Sequence, residues 1–271
     1  MILSTINVNG IRAAVKERST DNLGMLPWLA QTKADVVCLQ ETRADDEQLA
    51  EALAPALDSG WHLAPAEPHL KGRNGVALLS RHPFTAVRVG FGAEEFLLHG
   101  RYVEADLATA TGDVTVASVY IQTGEADTPR QLEKERFMAA LALRMAELAD
   151  AGRDAVICGD WNIAHTEADI KAWKANVKKS GFLPSERQWL SELLDSGWVD
   201  VVRQAHPEVA GPYSWWSWRG KAFDNDAGWR IDYQLATPSL AARMVTAGTE
   251  RPAAYALRWS DHAPVTVEYR A

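Results

Sequence analysis

No apolar run in this sequence approaches the roughly 18 residues that a bilayer-crossing helix requires, so a helical membrane protein is excluded and a water-soluble globular chain is expected. There is no Pro/Gly/Ser-rich linker, low-complexity tract or repeat period, which leaves no boundary along residues 1–271 and favours a single domain. Cysteine is scarce. Cys38 and Cys158 each sit inside an apolar strand-like run, so a disulfide framework is excluded and two reduced core thiols are expected. The opening Met1-Ile2-Leu3-Ser4-Thr5-Ile6 lacks the basic region, apolar stretch and cleavage site of a secretory signal, so a cytoplasmic location is expected, without membrane association. Nothing implies an obligate protein partner, and a monomer is expected. An excess of cations is missing too: 36 acidic against 28 basic residues give a net charge of −8. That excludes a protein that binds polyanions through its whole surface. The basic residues are nonetheless grouped, at Lys171, Lys174, Lys178 and Lys179 and at Arg219 and Lys221, so local contact with a polyanion stays open.

What is present is a succession of short β-branched and apolar runs: Ile2–Val8, Val36–Gln40, Val76–Ser80, Tyr102–Leu107, Val114–Tyr120, Ala155–Gly159, Ile231–Ala236 and Pro264–Tyr269. The fourth and fifth flank a hairpin loop at residues 108–113. Between the strands lie helical patterns. The clearest runs from Pro129 to Asp150, with Thr128 as cap, Pro129 at the first position, Gln131 completing a capping box and Gly152 beyond the end. Phe137, Met138, Leu141, Met145 and Leu148 form its apolar face. Further helices are expected at Ser185–Leu194, Asp45–Leu57 and Pro27–Lys33. Strands, a hairpin and intervening helices predict two packed β-sheets with helices outside, a four-layered α/β sandwich.

Polar groups gather where these strands end. The first closes on Asn7-Val8-Asn9-Gly10, the second on Gln40-Glu41-Thr42, another on Tyr120, another on Gly159-Asp160-Trp161-Asn162, and the last begins after Ser260-Asp261-His262. Singly, each reads as a turn or cap residue. Jointly they form a chemical set. Glu41 and Asp261 are hard oxygen ligands suited to Mg²⁺, Asn7 and Asn162 orient oxygens without adding charge, and His262 can donate to a phosphoryl oxygen. Phosphodiester hydrolysis needs those functions: neutralisation of developing charge, an aligned water and a protonated leaving oxygen.

The segments Asn7-Val8-Asn9-Gly10-Ile11-Arg12-Ala13, Leu39-Gln40-Glu41-Thr42, Gly75-Val76-Ala77-Leu78-Leu79-Ser80, Gly159-Asp160-Trp161-Asn162, Gly228-Trp229-Arg230-Ile231-Asp232-Tyr233 and Ser260-Asp261-His262-Ala263-Pro264-Val265 resemble, in order and spacing, the motifs of the exonuclease III family of AP endonucleases, of the bacterial exodeoxyribonuclease III type. The broader endonuclease/exonuclease/phosphatase superfamily shares the Glu, Asp-x-Asn and Ser-Asp-His cores. The resemblance implies a four-layered α/β sandwich and a divalent metal, Mg²⁺ with Mn²⁺ as alternative. It also implies hydrolysis 5′ to abasic sites in duplex DNA, with 3′→5′ exonuclease and 3′-end-cleaning activity. Carried over by motif, Glu41 holds the metal with Asn7 and Asp261 beside it. Asp160 activates or positions water, Asn162 holds it, His262 paired with Asp232 stabilises the phosphorane, and Tyr120 meets the phosphate or leaving oxygen. Two positions depart from the family: Asn9 stands where some members carry Asp, and Thr123 where an amide is common.

Eleven tryptophans are many for this length. Most read as core. By the same resemblance, Trp215 and Trp229 line an abasic-sugar pocket, while Trp218 and Arg219 reach the minor groove and Asn176 a phosphate. The partner is then duplex DNA with abasic sites or 3′ ends. Two other readings compete. A phosphodiesterase of the same superfamily acting on another substrate would lack the Trp-rich segment; a DNA-binding scaffold without catalysis would have gaps among Glu41, Asp160, Asn162, Asp261 and His262.

Overall fold

The apolar runs pair into two six-stranded mixed sheets in the computed structural model, which describes residues 1–270. In chain order the strands are β1 (Ile2–Asn7), β2 (Val36–Gln40), β3 (His62–Ala66), β4 (Val76–Ser80), β5 (Ala86–Val89) and β6 (Tyr102–Thr109). There follow β7 (Gly112–Tyr120), β8 (Asp154–Asp160), β9 (Val199–Asp200), β10 (Asp232–Ala236), β11 (Met244–Thr249) and β12 (Val265–Tyr269). One sheet has the order β11-β12-β1-β2-β4-β3 and the other β5-β6-β7-β8-β10-β9. Each holds one parallel pair at its centre, β1 with β2 and β7 with β8, and both members of such a pair end at the same edge. Register sets Asn7 opposite Gln40 in the first sheet and Tyr120 opposite Asp160 in the second.

Leu3, Cys38, Leu78, Val116, Val156 and Val265 interdigitate between the sheets. The outer face of the second sheet packs Ala117, Val119 and Ile157 against the Pro129–Asp150 helix, whose Phe137, Met138, Leu141, Met145 and Leu148 are all buried. The first sheet covers Ile6, Leu39 and Leu79 with Leu29 and Leu49 from helices at Met25–Gln31 and Asp46–Ala52. The architecture is therefore the four-layered α/β sandwich, each fully buried aliphatic side chain contributing about 1.5–3 kcal/mol. Cys38 and Cys158 are both free and buried.

Several local expectations are corrected. The Asp45–Leu57 helix is two, Asp46–Ala52 and Ala54–Asp58, because Pro55 has no N–H to continue the ladder and crowds the preceding turn. The Pro27–Lys33 and Ser185–Leu194 helices begin earlier, at Met25 and Pro184, which brings each proline into the first turn where its missing donor costs nothing. Gln131 does not close a capping box: Thr128 Oγ1 accepts from Arg130 N at 3.3 Å, but the Gln131 amide turns inward and donates to Glu186 at 3.1 Å.

Arg230 is almost fully buried; its Nε donates to Asp169 at 2.6 Å and its Nη1 pairs with Asp200 at 2.8 Å, while Arg203 also reaches Asp169. This cluster ties the entry of β10 to the helix end near Asp200. Burial pushes the Asp169 carboxyl up, but the two guanidinium groups win and hold it down to about 2. An offset of that size is linked to roughly 2.5 kcal/mol of stability, fully present above about pH 4 and lost as pH falls through the depressed value. Asp169→Ala leaves the buried Arg230 with Asp200 as its remaining carboxylate and is expected to cost about 2–3 kcal/mol. Thermal melts of the variant against wild type at pH 7 check it, and an unchanged Tm would contradict the assignment.

Candidate active site

The site forms where the two parallel pairs end side by side. Val8 N donates to Gln40 O at 2.9 Å and Gly10 N to Glu41 O at 2.8 Å, so the β1–β2 ladder continues past the strands and fixes Glu41. In the other sheet a Cβ on Gly159 would lie 1.9 Å from Val119 O; only glycine lets β8 close on β7 one residue before Asp160. Asn9, Glu41 and Asn162 all take left-handed backbone, with φ of 49°, 50° and 51°. Asparagine tolerates this conformation; at Glu41 it costs about 1–2 kcal/mol, and such strain gathers at functional sites.

Asn7 bridges the sheets. Its Nδ2 donates to Glu41 Oε1 at 2.9 Å and to Asp160 Oδ2 at 2.8 Å. Its Oδ1 accepts from Asn9 N at 2.9 Å, so Asn7, expected beside a metal, meets the acids with its nitrogen. Asn9 Nδ2 and Trp215 Nε1 donate to the two oxygens of Asp261 at 2.8 and 3.1 Å. Asp160 Oδ1 accepts from Asn162 N at 2.9 Å, and its Oδ2 accepts from Asn162 Nδ2 at 3.1 Å. Thr123, at the other departing position, donates to Asn162 Oδ1 at 3.2 Å.

His262 and Asp232 face each other as the motifs imply: His262 Nδ1 donates to Asp232 Oδ2 at 2.9 Å, and its Nε2 lies 3.8 Å from Asp160. Ser214 Oγ accepts from the Ile231 and Asp232 amides, and Ser260 Oγ donates to Asn7 O at 2.6 Å, which places both loops. Burial pulls the imidazole down, but Asp232 and then Asp160 hold it charged, up to about 10. Burial pushes the Asp160 carboxyl up against the His262 cation, and Asp232 and Glu41 push the same way. Tyr120 is buried beside Glu41; burial, then Glu41 and Asp160, keep its phenol protonated well above its ordinary range.

An open cavity of about 300 Å³ sits over these groups, lined by Glu41, Asp160, Asp261 and His262 on one side and by Trp215, Trp229 and Ile231 on the other. The two indoles meet edge to face at 6.1 Å. Of the other expected contacts, Trp218 and Arg219 are exposed outside the cavity lining, with Trp218 edge-on to Tyr255. Asn176 also lies off the cavity and donates to Ala172 O at 2.8 Å. Its loop carries the exposed Lys171, Lys174, Lys178 and Lys179 and leads into Ser180 and Gly181, which do line the cavity. Arg43 is the residue that motif reading missed: it lines the cavity and pairs with Glu41 Oε2, its Nε at 2.8 Å. Its place beside Glu41 was the available signal.

Glu41, Asp160 and Asp261 thus line the cavity with Arg43 and His262, and Asp232 pairs with His262 behind it. Asp160, Asp232 and His262 bring ligand atoms within 4.8 Å of one another. The acidic set can hold a metal ion. The endonuclease/exonuclease/phosphatase family matches residues 4–262. The chain belongs to that family. Within it, the exodeoxyribonuclease of Bacillus subtilis (strain 168) is 34% identical over 265 residues, covering 98% of each protein. A solved 3′-5′ exonuclease from Neisseria meningitidis superposes with a TM-score of 0.82 at 33% identity, covering 99% of each chain. An AP endonuclease from Archaeoglobus fulgidus superposes with a TM-score of 0.85 at 28% identity over all of both chains. The endonuclease/exonuclease/phosphatase sandwich accounts for the symmetry seen here, in which each sheet delivers a parallel pair to one shared edge.

Proposed function

We propose that this protein is a DNA-repair nuclease that hydrolyses the phosphodiester 5′ to an abasic site, and that also trims 3′ ends. The observation that carries the reading is the pairing, in one cavity, of an acid–imidazole set with a Trp215–Trp229 wall. Flat apolar walls favour a deoxyribose that lacks its base over an intact, bulkier nucleotide. Both sheets contribute residues to the cavity, and a monomer acting as one catalytic unit belongs to the same reading. A cytoplasmic location, with duplex DNA as the partner, belongs to the same reading.

The donor set fits a divalent ion. Glu41 and Asp261 are hard oxygen donors facing a cavity whose carboxylates outnumber its cations, and Mg²⁺ or Mn²⁺ held by them, with Asn7 adjacent, relieves that imbalance. When bound, the ion supplies Lewis-acid stabilisation of the phosphoryl oxygens. This chain's residues do the rest. Asp160, made more basic by burial, takes a proton from the water that the Asn162 amide orients, and the water oxygen bonds to phosphorus. His262, kept charged by Asp232, donates to a phosphoryl oxygen as charge develops. The P–O3′ bond breaks, and the departing O3′ takes the proton of the Tyr120 phenol, which is restored by the proton that Asp160 took from water.

A duplex with a single tetrahydrofuran abasic analogue tests this. Incision 5′ to the analogue is expected with Mg²⁺ and none with EDTA, while a recessed 3′ end assayed in parallel reports exonuclease action. An intact abasic duplex after incubation with wild type and Mg²⁺ would overturn the reading.

A further inference from the structure

Behind the cavity an ammonium and a carboxylate are buried together. Lys134, on the Pro129–Asp150 helix, and Glu186, at the third position of the Pro184–Asp195 helix, meet at 2.7 Å with both side chains fully inaccessible. All three ammonium protons have acceptors: Glu186 Oε1, Asn162 O at 2.9 Å and Ser180 Oγ at 3.5 Å. The other Glu186 oxygen accepts from Gly181 N at 2.6 Å and Leu183 N at 3.0 Å.

Taking two such charges out of water costs several kcal/mol per ion, and an apolar pair of similar volume would hold the helices together at least as well. What an apolar pair lacks is a grip on the backbone of the site. Asn162 has left-handed backbone, and its carbonyl is the group that Lys134 holds. Gly181, held by Glu186, lies between that carbonyl and the pocket wall: a Cβ there would sit 3.2 Å from Asn162 O and 3.1 Å from the Trp229 ring. We propose that Lys134 and Glu186 are positioning residues for the reaction: locked to each other between two helices, they hold the Asn162 carbonyl and the Gly181 amide, and so aim the Asn162 side chain at Asp160. The proposal rests on the catalytic part assigned to Asn162 above.

The variant to measure is Lys134→Met with Glu186→Gln, which removes both charges and keeps an oxygen for the Gly181 and Leu183 amides. Its kcat is expected to fall about 10–100-fold with KM within about twofold, the size of effect that small misplacement of a reacting group produces. Asn162→Ala is made alone and in combination. If the pair acts through Asn162, the combined protein is no slower than Asn162→Ala by itself. Multiplying losses, or an unchanged kcat in the Lys134→Met/Glu186→Gln protein, would overturn the proposal. So would an Asn162→Ala enzyme of full rate. Should that double variant not melt cooperatively, Lys134→Gln with Glu186→Gln, uncharged and still able to hydrogen-bond each other, is read in the same cycle with the same expectation. Hydrolysis of bis(4-nitrophenyl) phosphate is followed alongside the abasic duplex, so that a wrong substrate assignment shows separately from a wrong assignment of the buried pair.

Discussion

Asp160→Asn is expected to lower kcat for incision by about 10³–10⁴-fold with little change in KM. The carboxylate accepts from Asn7 Nδ2, Asn162 N and Asn162 Nδ2, so its position is fixed by donors. An amide at residue 160 removes the proton acceptor and turns an NH₂ group toward at least one of those donors. Duplex binding, proposed above to use the Trp215–Trp229 wall, is expected to be left in place. Steady-state kinetics on the abasic duplex decide the matter. A loss in kcat below about tenfold would remove Asp160 from the proton-transfer step.

Glu41→Gln is expected to raise the Mg²⁺ concentration for half-maximal rate by about 100-fold or more, because even partners that only orient a metal ligand are worth 10–100-fold. Glutamine keeps the volume and the hydrogen bond from Asn7 while removing the charge that Arg43 and the ion share. The measurement is a Mg²⁺ titration of incision rate, paired with calorimetric titration of Mg²⁺ into the free protein. An unchanged half-saturation point would place the ion elsewhere, with the buried Asp160–Asp232–His262 group the next candidate.

The inner strands were legible because β2, β4 and β7 are buried over all or most of their length, the first two as near-continuous apolar runs and β7 as a run of β-branched and apolar residues. The peripheral ones were not. β3 contains Pro65, β5 is four residues with both its valines exposed, β9 is two residues long, and β11 carries Gly248 and no buried residue. These pair at or beside sheet edges, where partners rather than composition decide the strand. At the site, the acids, amides and imidazole were visible one at a time, but their meeting depends on two parallel pairs ending at one edge, which no spacing encodes. Lys134 and Glu186 were hidden for another reason. Lys134 stands three and four residues before Phe137 and Met138, in register with the apolar face, but a lysine at the end of such a stripe reads as one whose ammonium reaches out to solvent, and a glutamate in a first turn reads as a cap. Only the packing of one helix on the other shows that both are inside.

β12 lies between β1 and β11, and Met1 and Tyr269 are joined by hydrogen bonds in both directions, at 2.7 and 2.8 Å. β1 therefore takes one partner, β2, from close by in sequence and the other, β12, from far along the chain, while the second sheet is drawn from one unbroken stretch between β5 and β10. Asp261 and His262 immediately precede β12. Those two side chains reach the site only once β12 has paired with β1 more than 200 residues away, so the site comes together with long-range pairing rather than with local folding.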